Sequence, residues 1–301
     1  MNARRIAELA QQRPGFSNGF AGIVRRVIAP VLRNFRLQES RLRSAYFVSA
    51  PSPQNALDIF EGEWYTSLPG HLHGLRAGGI DLCNDPRLAW ALQEVGDLEG
   101  KEVIELGPLE GAHTYMLERT GCARIRSVEG NPRAYLKCLV LKEILGMKRA
   151  QFLCGDFVEY LGSGPERANL VVASGVLYHM TNPVELMYLI SQVTDYVFLW
   201  THYYDDGALA RRPEIRRKIT AREERKVHGF AHELFRYEYW GSFGLKRFCG
   251  GPNPHAFWMR RDAILDCLRF LGFASIVTGF DEREHADGPA FAVVARRKKA
   301  I

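Results

Sequence analysis

The chain has no run of eighteen apolar residues, roughly the length a helix needs to cross a bilayer. Its first residues also lack the charged, apolar and small-residue order of a secretory leader. The expected setting is therefore cytoplasmic, with no membrane span. Cysteine is sparse, and Cys83, Cys122, Cys138, Cys154, Cys249 and Cys267 nowhere form C-x-x-C or another paired metal spacing. They read as reduced structural thiols, with Cys138 and Cys154 in apolar surroundings. Histidine supplies no metal set either. His71 with His73, and His228 with His232 at the i, i+4 spacing of a helix face, lack a third ligand of known position. Asp205 and Asp206 would complete such a site only through tertiary contact, so no metal is expected.

What remains is ordinary globular composition, 47% hydrophobic and 25% charged, in a length that holds one full α/β domain with substantial additions. The net charge of +6 is uneven. Residues 1–50 carry nine arginines against Glu8 and Glu39, residues 211–226 hold eight basic residues against three glutamates, and Arg296–Lys299 form a basic tail. The rest of the chain is acidic. A polyanion such as tRNA would favour such basic patches. Solvated helix faces give the same count, and without interleaved aromatics they are the preferred reading.

Residues 1–98 read as an N-terminal helical and irregular extension that covers the active site or a partner. Within 1–50, Ile23, Val27, Val31 and Phe35 form an apolar stripe broken at Pro30. Its cheapest cover is the chain's own core, and a homodimer contact comes next. Pro51 to Gly79 is irregular, anchored by Trp64 and Tyr65. Asp85-Pro86 then starts a helix through Gly96, with Asp85 as its cap.

From residue 99 to 301 the pattern changes to alternating strands and helices. Strands are expected at Glu102–Leu106, Arg124–Val128, Ala150–Cys154, Asn169–Ala173 and Tyr196–Thr201. Helices are expected at Ala112–Thr120, Pro132–Leu145 and Pro183–Val193. Such alternation implies an α/β, Rossmann-like, mostly parallel sheet with helices on both faces. Near the end come a helix at Ala263–Leu271 and strands at Ala274–Phe280 and Ala290–Arg296. Between the strand Tyr196–Thr201 and that helix, about 204–258, lies an insertion with a basic helical part to about Tyr239 and then a Gly- and Pro-rich part. Phe235, Tyr237, Tyr239, Trp240, Phe257 and Trp258 make it aromatic, as suits a lid or substrate wall.

The strongest motif is Val103-Ile104-Glu105-Leu106-Gly107-Pro108-Leu109-Glu110-Gly111. Glycine after a buried strand permits a tight turn and close approach of a ligand to backbone amides. Glu105 would repel a pyrophosphate but suits an ammonium, which favours S-adenosylmethionine over NAD. Glu129 ends the second strand 22 residues after Gly107, the spacing at which an acid meets adenosine ribose hydroxyls. Asp156 and Phe157 follow the third strand, where an aspartate can take the adenine amino group. Ser174, Tyr178 and His179 follow the fourth, with His179 as candidate base and Tyr178 as a contact to cofactor or substrate. Thr201, His202, Tyr203 and Tyr204 end the fifth strand beside the same cleft.

Together these segments resemble the class I S-adenosylmethionine-dependent methyltransferases. The Gly175-Val176-Leu177-Tyr178-His179-Met180 string up to Pro183, with Trp64-Tyr65 upstream, is nearest to the tRNA wobble-uridine carboxymethyl-transferring enzymes and their bacterial relatives. The resemblance implies a seven-stranded sheet closed by a terminal antiparallel strand pair. It implies that Glu105, Gly107 and Gly111 line the methionine end, Glu129 the ribose, and Asp156 with Phe157 the adenine. The family's third glycine is replaced by Leu109, beside Pro108. The expected activity is methyl transfer to a small molecule. Two alternatives are transfer or cyclisation of the aminocarboxypropyl arm with release of methylthioadenosine, and tRNA modification.

Overall fold

The computed structural model describes residues 46–240, 242 and 250–297. The chain divides into two compact units, Met1–Asn55 and Ala56–Ile301. Of the stretch expected to be helical at the start, residues 1–45 lie outside the described residues, and 46–50 are exposed and non-helical.

The second unit is built on five short strands, of which the last two read as near-continuous apolar runs: β1 (Glu102–Leu106), β2 (Arg124–Glu129), β3 (Ala150–Cys154), β4 (Leu170–Ser174) and β5 (Tyr196–His202). Val103, Ile104, Val171, Val172, Phe198 and Leu199 are fully buried. Burial on both faces is what a parallel sheet covered by helices demands. The sheet runs β3-β2-β1-β4-β5-β10-β9. Its first five strands are parallel, while β10 (Ala290–Arg297) pairs antiparallel with both β5 and β9 (Phe273–Glu282). The expected terminal antiparallel pair is thus present. The strand order reverses between β1 and β4, and an open α/β sheet offers its ligand crevice at that switch point, beyond the strand ends.

The helices begin where their caps dictate. The first, α1 (Pro53–Asp58), precedes the sheet, and α2 (Pro86–Val95), α3 (Ala112–Glu118), α4 (Pro132–Leu145), α5 (Phe157–Gly162) and α6 (Pro183–Val193) follow. Asp85, Asn131 and Asn182 each accept a backbone N–H of the turn they open, with proline at the first position of α2, α4 and α6. Leu88, Leu117 and Cys122 pack one face of the sheet, and Val184, Met187 and Ile190 the other.

The insertion differs from expectation. After the short helices α7 (Asp206–Ala210) and α8 (Pro213–Arg216), the segment expected to be helical forms the antiparallel hairpin β6 (Ile219–Val227) and β7 (Phe230–Glu238). Strand β8 (His255–Trp258) pairs with β7, making a separate three-stranded sheet, and α9 (Arg261–Phe270) returns the chain to β9. The hairpin turns at His228 (φ 49°) and Gly229 (φ 90°), a pair of left-handed residues that matches strand twist. His228 and His232 therefore share no helix face. His228 stacks on Tyr188 at 3.6 Å and bonds Glu185 at 2.7 Å. Among the described residues no group of three His, Cys, Asp or Glu is placed to hold a metal, and no helix is long and apolar enough to cross a membrane. Cys138 is fully buried, but Cys154 is exposed, because β3 is the sheet's edge strand. Cys249 lies outside the described residues.

Candidate functional site

The turn after β1 carries three left-handed residues in five: Gly107 (φ 63°), Leu109 (φ 57°) and Gly111 (φ 84°). A Cβ at Gly107 would sit 2.6 Å from Val176 Cγ1, and one at Gly111 would sit 3.0 Å from Phe152 Cζ. Both positions thus need glycine for space as well as for backbone. Leu109 takes the conformation that glycine would adopt there, so the turn keeps its shape despite the substitution. Its N–H donates to Glu129 Oε2 at 3.0 Å, while Asn131 N donates to Oε1 at 2.8 Å. Glu129, at the end of β2, is thereby fixed beside the turn. Burial pushes its carboxyl above the usual range, and the two amide donors oppose that.

Glu105 is 2% exposed, and its carboxylate accepts the hydroxyls of Thr114 and Ser127 (2.7 Å from Ser127). Burial raises its pKa as well, against those hydrogen bonds. Asp156 is exposed and caps α5 through Val158 N (2.7 Å), and Phe157 packs on the main core. Ser174 ends β4, opposite Trp200 of β5 in the ladder.

Glu110 and Lys137 were not singled out in the sequence. Glu110 is 1% exposed, lies 2.6 Å from Lys137 Nζ, and accepts Tyr65 N and Thr66 N at 2.9–3.1 Å. Lys137 also donates to Glu63 O at 3.0 Å. This buried pair pins the Glu63–Thr66 segment against the glycine turn, and it gives Trp64-Tyr65 its place. A lone Glu before a glycine carries no sequence signal for that partner.

Beyond the ends of β4 and β5 lies a cavity of about 180 Å³. Tyr178, Trp200, Tyr237, Tyr239 and Trp258 wall it, and His179, His202 and Asp287 supply polar groups. Tyr178, His179, His202 and the insertion's aromatics are among the residues the sequence points to, whereas Trp200, inside β5, and Asp287, a loop residue from far along the chain, are not. The insertion is tied in by Phe257 N to Met180 O (2.9 Å) and Tyr204 N to Met259 O (2.8 Å). Thr201, Tyr203 and Tyr204 are buried, and Tyr204 stacks on Phe235 at 3.5 Å, so of the four residues expected beside the cleft at the end of the fifth strand only His202 joins Trp200 on the cavity wall. His179 Nδ1 is 2.6 Å from Tyr239 Oη. Burial, and then the neighbouring His202, hold its pKa down to about 3. Burial likewise lowers His202 to about 4, opposed by its bond to Gly288 O. Both imidazoles are neutral at pH 7.

An adenosyl sulfonium suits this donor set. Glu129 holds both carboxylate oxygens in place at the end of β2, beside the left-handed turn at 107–111.

No protein-family model matches the chain. It is 28% identical over 155 residues to ribosomal RNA small subunit methyltransferase A of Rhodopseudomonas palustris (strain BisB5), covering 50% of this chain and 49% of that one. It is 29% identical over 115 residues to the tRNA U34 carboxymethyltransferase of Chromohalobacter salexigens, covering 36% and 34%. The chain thus spans half or less of the length of these curated relatives. Among solved structures, the N-terminal domain of EvdMO1 with S-adenosylhomocysteine bound superposes with a TM-score of 0.62 at 24% identity, covering 81% of this chain and 95% of that domain. With the strand order and the closing antiparallel pair, these likenesses place the chain's fold in the class I S-adenosylmethionine-dependent methyltransferase superfamily.

Proposed function

We propose that the chain is an S-adenosylmethionine-dependent methyltransferase that acts on a small molecule. The observation that carries this reading is a glycine turn after β1, braced by Glu129 and packed at Gly107 close to Val176, in the same β4 loop whose Tyr178 and His179 line a walled aromatic cavity. The cofactor, when bound, supplies a sulfonium methyl group already activated for in-line displacement. The protein's part is then to align the acceptor and exclude water. Glu129 holds the ribose; Gly107 and Gly111, with Glu105 behind them, shape the methionine end; Asp156 and Phe157 flank the adenine. Ser174, Tyr178 and His179 stand between the two halves of the site.

Calorimetric titration with S-adenosylmethionine and S-adenosylhomocysteine tests the reading. Saturable binding of both is expected, and absence of both contradicts it. The aminocarboxypropyl alternative drew on a remodelled turn, but Leu109 keeps the glycine conformation, which supports methyl transfer. Release of methylthioadenosine from cofactor alone would reverse that preference. The named RNA-acting relatives support a second reading, an RNA acceptor. Binding of tRNA that falls steeply with salt would favour it, and a flat or absent response would reject it.

A further inference from the structure

Resting on the proposed methyl transfer, we propose that the cavity beyond β4 and β5 takes a neutral single-ring compound bearing hydroxyl groups, with His202 accepting the proton of the hydroxyl that is methylated.

The tautomer of His202 is set by its partners. Nδ1 lies 2.9 Å from Gly288 O and 3.3 Å from Pro289 O, and carbonyls only accept. Nδ1 therefore carries the hydrogen, and Nε2 holds the lone pair. His179 is different, because its Nδ1 meets the Tyr239 hydroxyl, which can donate or accept. The His202 ring is also fixed in orientation, stacked on Trp258 (5.4 Å, 12°) and edge-on to Tyr178 (4.5 Å). Such fixing is what a positioned proton acceptor requires.

The walls define the acceptor. Tyr237 and His202 both lie parallel to Trp258 (4.8 Å and 5.4 Å), so the wall is built of packed aromatic rings, an apolar surface that a ring compound can pack on. A cavity of ~150 Å³ is known to hold one benzene, so about 180 Å³ suits one ring with substituents. Among the described residues that line the cavity, Asp287 is the one carboxylic acid and there is no Lys or Arg, which disfavours phosphate and carboxylate. Arg87 lies 4.2 Å above the Trp200 ring, but its charge is paired with Asp85 at 2.5 Å. Trp258 Nε1 is buried with no hydrogen-bond partner among the described residues, a donor that a ring oxygen can satisfy.

In the step itself, the acceptor oxygen bonds to the methyl carbon as the carbon–sulfur bond breaks, and that electron pair stays on sulfur. The oxygen becomes positive as its new bond forms, so its proton grows strongly acidic. A weakly basic imidazole is then sufficient to take it at Nε2 and release it to water.

The test begins with protein loaded with S-adenosylhomocysteine and read by tryptophan fluorescence from Trp200 and Trp258. Two ligand pairs are titrated, glucose against glucose 6-phosphate and catechol against 3,4-dihydroxybenzoate, which separates sugar from phenol. At least one neutral ring should saturate, with its anionic counterpart tenfold weaker or worse. Equal or tighter anion binding overturns the proposal, as does failure of both neutral rings while S-adenosylhomocysteine still binds. Failure of S-adenosylhomocysteine itself contradicts the methyltransferase reading instead. With the bound ring and methyl-labelled cofactor, His202→Asn keeps a donor toward Gly288 O but removes Nε2. It should lower kcat by ~10²–10⁴ and leave KM unchanged; a retained kcat overturns the assignment. If that variant does not fold, the ¹⁵N spectrum of wild-type His202 decides. An unprotonated Nε2 that shifts on adding the neutral ring supports the role, and a protonated Nε2 overturns it.

Discussion

At Leu109 a γ-branched side chain occupies a left-handed backbone conformation that costs a non-glycine residue roughly 1–2 kcal/mol. It persists because its amide is held by Glu129 and its carbonyl accepts Cys138 Sγ at 3.7 Å. The neighbouring glycines have no such latitude. Gly107→Ala drives a Cβ into Val176 at positive φ and should lower stability by about 1–3 kcal/mol in a urea melt. Gly162→Ala, where a Cβ meets nothing, should stay within about 1 kcal/mol of wild type or gain slightly. Equal effects at the two sites would refute the close-packed turn. Lys137→Met leaves the Glu110 carboxylate buried without its cation, and should cost about 3–5 kcal/mol in the same assay. A neutral outcome would contradict the buried Glu110–Lys137 pair as a structural tie.

Among the elements, those whose signal is local were legible. The Asp85-Pro86 cap, the leading prolines Pro132 and Pro183, and glycine after the first strand mark α2, α4, α6 and β1 to within a residue. The hairpin was not legible, because β6 has no apolar alternation. Its half-buried positions are Glu223, Arg225 and Val227, and the Arg225 guanidinium lies 4.4 Å above the Phe257 ring in place of an apolar side chain. Arg222–Glu233 is a cross-strand ion pair that reads as helix surface in one dimension. The short helix α5 was likewise missed, since Asp156 was read only as a ligand and also serves as its cap. Of the residues on the cavity wall, Tyr178, His179 and His202 are legible as strand-end residues. Glu110–Lys137 and Asp287 are not, because only tertiary contact brings them there. If the turn at His228-Gly229 sets the register, Gly229→Val should raise amide exchange across 219–238 while leaving β1–β5 protected. Uniform exchange changes, or none, would contradict a separate hairpin sheet.

For the whole molecule, the buried histidines set an acid limit. His179 and His202 have folded pKa values of about 3 and about 4, below their unfolded value near 6.5. The unfolded chain therefore binds more protons below pH 6.5. Stability from these groups is complete above that pH and is lost progressively as pH falls toward 4. Glu105 and Glu129, raised by burial, act in the opposite sense, so the comparison is made against His202→Asn. Between pH 7 and pH 5 the wild type should lose more stability than the variant. Parallel losses would contradict a buried neutral imidazole.

The central claim, that the Glu129-braced turn binds an adenosyl cofactor, is most directly tested by calorimetry with S-adenosylhomocysteine on wild type and Glu129→Ala. Saturable one-to-one binding by wild type, weakened at least tenfold in a variant that still melts cooperatively, is the predicted result. No heat from wild type, or equal affinity in the two proteins, would contradict it.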